Sequence, residues 1–75
     1  MNADELKYIL EKLNDYTDYL KVNDLVDLKM YKTETDAYKD RVKNKGPEFT
    51  KDYKNRVLYP KKSLIKFIEY QLDDL

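Results

Sequence analysis

Two carboxylate pairs, Asp15/Asp18 and Asp24/Asp27, stand three residues apart, the spacing that puts two side chains on one helix face. Such a pair could hold Mg²⁺, but that ion wants octahedral oxygen and usually a phosphate. Pairs of this kind are far more often a solvated helix face, and we read them so. Ser63 and Thr50 are the hydroxyls in locally ordered surroundings. Neither has a base to activate it as in a triad, and both read better as caps or helix-start residues. The chain contains no His and no Cys. It therefore lacks the usual general base at neutral pH, a thiolate nucleophile, Cys/His zinc sites and disulfides. Gly46 is the only glycine, so no Gly-rich phosphate cradle exists. A carboxylate-only enzyme would still need a concave site of about 300 Å³ or more, which is hard to build in so short a chain. The expectation is a non-enzymatic protein without cofactor or metal.

Charge carries more information. The 15 basic and 15 acidic side chains cancel over the 75 residues. The sum hides a division: residues 1–40 carry −4, residues 41–66 carry +7 and residues 67–75 carry −3. The basic segment could contact phosphates, with Phe49, Tyr53 and Tyr59 stacking on exposed bases and Lys51, Lys54, Arg56, Lys61 and Lys62 neutralising the backbone. Against this, the pI of 6.2 is far below the value above about 9 that marks nucleic-acid domains. The segment holds seven Lys but two Arg, which leaves little bidentate base reading. A helix-turn-helix drawn over 47–74 fails because its last helix is too apolar to lie in a groove. A solvated face, or contact with an acidic protein, is the preferred reading of the basic segment.

The eight tyrosines are the other surplus. On a helix beginning near residue 3, Tyr8 and Tyr19 fall about 200–220° from Leu6, on the polar side. Tyr offers large area, few rotors and a hydroxyl, and is enriched at interfaces. Tyr8, Asp15, Asp18 and Tyr19 are therefore the expected protein-binding residues. Tyr31, Tyr38 and Tyr53 read as core-edge residues.

These side chains need elements to position them. Leu6, Ile9, Leu10, Leu13, Thr17 and Leu20 follow helical spacing and predict a helix over 3–20, capped by Asn2 with Asp4 and Glu5 in its first turn. Asn23 and Asp24 start a second helix, long or broken, over 24–44. The alternation of Val26, Leu28 and Met30 allows instead a strand at 25–31, with Arg56–Tyr59 as its one candidate partner. Thr33 or Thr35 would then cap a shorter helix over about 36–44. Gly46-Pro47 marks the sharpest boundary. Phe49, Tyr53 and Val57 share a face and predict a helix over 47–58. Ser63 would cap a last helix over 64–74. There Leu64, Ile65, Phe67, Ile68 and Leu72 spread over about 160° of the circumference, wide enough for an oligomer interface.

One Gly and two Pro are few turn residues, which favours helices over many strands. The expected fold is all-α, a small compact bundle of three to four helices forming one domain over 1–75; the alternative is α+β with the strand at 25–31. A chain this short buries only roughly 60% of its unfolded surface, and such folds lean on staples or a partner. No apolar run approaches the ~20 residues that span a bilayer, and no secretory signal is visible, so the cytoplasm is the expected compartment. In overall style (short, acidic at the start, rich in Lys and Tyr) the chain resembles small accessory proteins of bacteriophages and mobile elements. The expected function is a protein-binding module that docks on a larger protein and blocks or modifies its action. The alternatives are a nucleic-acid-binding factor using 41–66, and an assembly subunit of a homo-oligomer.

Overall fold

In a computed structural model, which describes residues 2–75, the chain forms four helices and a small antiparallel sheet. In chain order these are α1 (Ala3–Leu13), β1 (Tyr19–Leu20), α2 (Val22–Asp27), α3 (Glu34–Val42), β2 (Thr50–Lys51), β3 (Val57–Pro60) and α4 (Lys61–Asp73). The fold is α+β, which overturns the all-α expectation. The alternative class is the right one, but its strand at 25–31 is not: those residues finish α2 and turn.

α1 starts as its sequence dictates, with the Asn2 side chain accepting from the Glu5 amide at 2.9 Å. It stops at Leu13 rather than continuing to residue 20. Asn14, Asp15 and Tyr16 donate to carbonyls three residues back, at 3.0–3.2 Å, so the helix winds down in tight turns. The cause is local: Asn14-Asp15-Tyr16-Thr17-Asp18 is a run of poor helix formers whose short polar side chains compete for the backbone. Leu20 still reaches the core, but from a strand.

α2 ends in a complete Schellman closure. Met30 donates to the Leu25 carbonyl at 3.0 Å, Lys29 donates to Val26 at 3.0 Å, and Lys29 takes the left-handed position at φ 67°. Leu25 and Met30, which such a closure brings together, are both buried. This breaks the expected long helix, and the alternation of Val26, Leu28 and Met30 comes from the turn. α3 then restarts at Thr33, whose hydroxyl accepts from the Asp36 amide at 3.2 Å. It closes the same way, with Lys45 donating to Asp40 at 2.8 Å, Asn44 donating to Arg41 at 3.2 Å, and Asn44 at φ 56°.

No helix forms over 47–58. β2 and β3 make a hairpin there, with Thr50 opposite Leu58 and Lys51 opposite Val57. Asp52 organises its three-residue loop. Its carboxylate accepts from the amides of Lys54 and Arg56 at 2.9 Å and from Arg56 Nε at 2.8 Å. Asn55 donates to the Asp52 carbonyl at 2.9 Å and sits at φ 64°, the left-handed position that a three-residue hairpin loop requires. β3 is the central strand, with β1 on its other edge through Tyr19 opposite Pro60 and Leu20 opposite Tyr59. Pro60 hands the chain directly to α4, so Ser63 lies inside that helix instead of capping it. α1 packs on α4. Leu6, Ile9, Leu13, Leu20, Leu25, Leu28, Met30, Tyr59, Leu64 and Ile68 make one continuous core.

Candidate docking face around Arg41

Arg41 lies in the last turn of α3, half-buried. Its Nη1 donates to the hydroxyl of Tyr59 at 2.8 Å. Tyr59 is a core residue of the central strand, so this bond satisfies a buried phenol and ties α3 to the sheet. The guanidinium carbon stands 5.8 Å from the ring centres of both Tyr38 and Phe49, within cation–π range. Tyr38 precedes Arg41 by three residues and so shares its helix face. Phe49 arrives from the loop before β2 and also leans on Tyr59, 6.2 Å between ring centres. A planar cation is thus held by two rings and one hydroxyl. Five N–H donors are available on an arginine, and one is used here. The ion pair within 4.0 Å among the described residues belongs instead to Arg56 and Asp52, at 2.8 Å.

Two depressions flank the segment Gly46-Pro47-Glu48. One, of about 300 Å³, is lined by that segment with Arg41, Asn44, Lys45 and Phe49. The other, of about 260 Å³, is lined by the same segment with Ser63, Lys66, Phe67 and Tyr70. They form one continuous surface that presents Phe49, 41% exposed, and Tyr70, 73% exposed. Arg41, Lys45 and Lys66 supply its cations, and Glu48 is its acid.

The shared segment is held from beneath. The Tyr31 hydroxyl donates to Asp40 Oδ2 at 2.9 Å, directly under Gly46. Burial, then the hydrogen bond to Asp40 and that carboxylate's charge, push the Tyr31 phenol well above its ordinary range. Gly46 sits at φ 84°, where a side chain would be strained, and a Cβ there would approach Tyr31 Oη to 2.6 Å. At the hairpin, hydrogen bonds from the Arg56 amide and guanidinium and the Lys54 amide hold the Asp52 carboxyl below its ordinary range.

The residues singled out from sequence fall elsewhere. Tyr8 and Tyr19 are exposed as expected, but they line different depressions. Tyr8 lies with Asp4 and Glu5, and Tyr19 lies with Asp18, Lys61 and Lys62. Asp15 and Asp18 are exposed in the loop after α1, so their helical spacing does not apply. Asp24 is committed to accepting from the Lys21 amide at 2.9 Å. Of the five cations proposed for phosphate, Arg56 is ion-paired and Lys61 Nζ donates to the Tyr16 carbonyl at 2.8 Å. Lys51, Lys54 and Lys62 are exposed. Leu64 and Ile68, expected at an oligomer interface, are fully buried in the chain's own core, and Ile65, Phe67 and Leu72 pack against it. Tyr38 and Tyr53 are exposed rather than at the core edge; Tyr53, 89% exposed, is the hairpin tip. A depression of about 640 Å³ between the start of α2 and the hairpin shows that a short chain can carry concavities of that size.

Sequence alone does not single out Tyr70, and it points to Arg41 and Phe49 only through the basic segment of the nucleic-acid alternative, not as protein-binding residues. The available signal was the pair Tyr38/Arg41 at helical spacing, with Arg rare beside 13 Lys. The Tyr59 contact, 18 residues away in sequence, had no local signature. Comparison with protein families, curated proteins and solved structures finds no match. No helix among the described residues is long and apolar enough to cross a membrane.

Proposed function

We propose that this chain is a non-enzymatic protein-binding module that docks on a larger protein through the face around Arg41 and so blocks or modifies its action. One observation supports the reading: a half-buried guanidinium, within cation–π range of Tyr38 and Phe49 and bonded to Tyr59, next to exposed aromatic side chains on a shared surface. Tyr, Phe and Arg are the residue types enriched at interface cores, and Tyr and Arg dominate binding hot spots. Their fixed placement lowers the ordering cost of association. A standard interface takes about 800 Å² per partner, roughly a seventh of the 5605 Å² this chain exposes. The test is a pull-down from the cytoplasmic fraction of a host lysate, with wild type and a Phe49→Ala/Tyr70→Ala variant of unchanged circular dichroism. A protein retained by the wild type and lost by the variant is expected. Retention of DNA or RNA with no protein sinks the reading.

A second reading, nucleic-acid binding through 41–66, is favoured by Tyr53 standing free at the hairpin tip with Lys54 Nζ 5.6 Å from its ring. It requires affinity that falls steeply with salt and disappears on charge reversal at Lys51, Lys54, Lys61 and Lys62.

A further inference from the structure

Resting on the protein-binding reading, we infer that the occupant of this face is an acidic polypeptide segment, with one of its carboxylates closing on the Arg41 guanidinium. The first observation is an imbalance. Arg41 is partly removed from water yet has no carboxylate within 4.0 Å among the described residues. A cation in that position is uncompensated until an anion arrives. Its cation–π contacts with Tyr38 and Phe49 and its bond to Tyr59 restrict where the guanidinium can lie. An arginine held in this way offers its remaining donors as the rigid fork that carboxylates match bidentately.

The second observation is the local charge. Lys45 and Lys66 lie in the two depressions on either side of Gly46-Pro47-Glu48. They place positive charge along the path an extended segment would take from Arg41 toward Tyr70. Phe49 and Tyr70 offer apolar area beside those charges.

The same chemistry could serve phosphates, but the charge around the face disfavours a nucleic acid. A duplex carries one negative charge per about 1.7 Å of its axis. The molecule measures 36 × 27 × 18 Å. A long polyanion crossing it would meet the acidic end of α4, with Glu69, Asp73 and Asp74, as well as the basic middle, whereas a short segment can keep its acids at the Arg41 end and set an apolar side chain against Tyr70. A discrete carboxylate responds mainly to charges within a Debye length of about 8 Å.

The test pans a displayed library of short random peptides on the folded protein. Selected sequences should be enriched in Asp and Glu beside an apolar or aromatic residue. Their affinity should fall roughly tenfold to a hundredfold in Arg41→Gln, the loss of hydrogen bonds to a charged group. Since Arg41→Gln also removes the Tyr59 bond, two further variants keep the result readable. Lys66→Glu, on an exposed position, should weaken binding. Glu48→Gln, which removes the acid of the face, should strengthen it, an effect that damage to the fold cannot mimic. Selected peptides without acids, affinities indifferent to all three substitutions, or single-stranded DNA that competes equally would overturn the inference. Peptides that bind but ignore Arg41 overturn the inference and leave the protein-binding reading standing. A library that selects nothing while the pull-down retains a protein removes the inference alone; failure of both removes both.

Discussion

Substituting Gly46→Ala tests how the docking face is supported. Two costs are readable. At φ 84° an L-residue is strained by about 1–2 kcal/mol. The new Cβ would also lie 2.6 Å from Tyr31 Oη, with Asp40 Cβ and Oδ2 at 3.4 Å, so the phenol must withdraw. Withdrawal breaks its 2.9 Å bond to the Asp40 carboxylate, and hydrogen bonds to charged groups contribute about 1.5–3 kcal/mol. Together the expected loss is about 3 kcal/mol, against a total stability of roughly 4–11 kcal/mol for a chain of this length. At about 4–8 °C per kcal/mol for a small domain, the melting temperature should fall by more than ten degrees. The decisive assay is a double-mutant cycle by urea denaturation. Tyr31→Phe removes the obstructing oxygen, so in that background Gly46→Ala should cost only the backbone strain of about 1–2 kcal/mol. Equal cost in both backgrounds would refute the contact. A neutral Gly46→Ala would refute the positive φ as well.

Lys29 occupies the left-handed position that closes α2, so Lys29→Gly should stabilise the protein by about 1 kcal/mol, read as a higher urea midpoint. Burial and Asp40 raise the Tyr31 pKa above its unfolded value, so the contribution is complete below about pH 10 and is lost as pH rises beyond it. Denaturation at alkaline pH should show that loss, with Tyr31→Phe flattening the profile. Hydrogen bonds from the Arg56 amide, the Arg56 guanidinium and the Lys54 amide lower the Asp52 pKa. Its support of the hairpin is therefore present above the ordinary Asp range and lost as pH falls through the depressed value. The amide resonances of Lys54 and Arg56 should move together in that acid transition and stay still in Asp52→Asn.

What could be read from sequence is what is settled locally. Asn2 and Thr33 act within a few residues of themselves, and each caps a helix as its type suggests; Gly46 takes a positive φ, but it is Asn44 that closes α3. The strands were hidden because their reasons are distant. β1 is two residues long and exists because Leu20 pairs with Tyr59 across 39 positions. The Phe49/Tyr53/Val57 spacing mimics a helix, yet the Asp52 carboxylate and the left-handed Asn55 override it. That loop chemistry was legible in principle, since Asp and Asn are the residues that supply it. The basic segment was legible as composition, and Arg41 is its first residue. Which of its charges are already engaged was not, because Tyr16 and Tyr59 engage Lys61 and Arg41 through contacts 45 and 18 residues apart in sequence.

The short chain suggested dependence on a partner for folding, with the wide apolar face of α4 as the place for one. That face is instead consumed at home: Leu64 and Ile68 are sealed in the core, and Ile65, Phe67 and Leu72 lie against it. A partner would therefore meet charged residues before apolar ones, and the two arginines differ in what they offer it. Arg56 meets Asp52 at 2.8 Å, so its charge is answered within the hairpin it stabilises. Arg41 is more enclosed, yet it is given rings and a neutral hydroxyl in place of an acid. On the proposed docking reading, this oriented guanidinium is the donor that a partner's acid would meet.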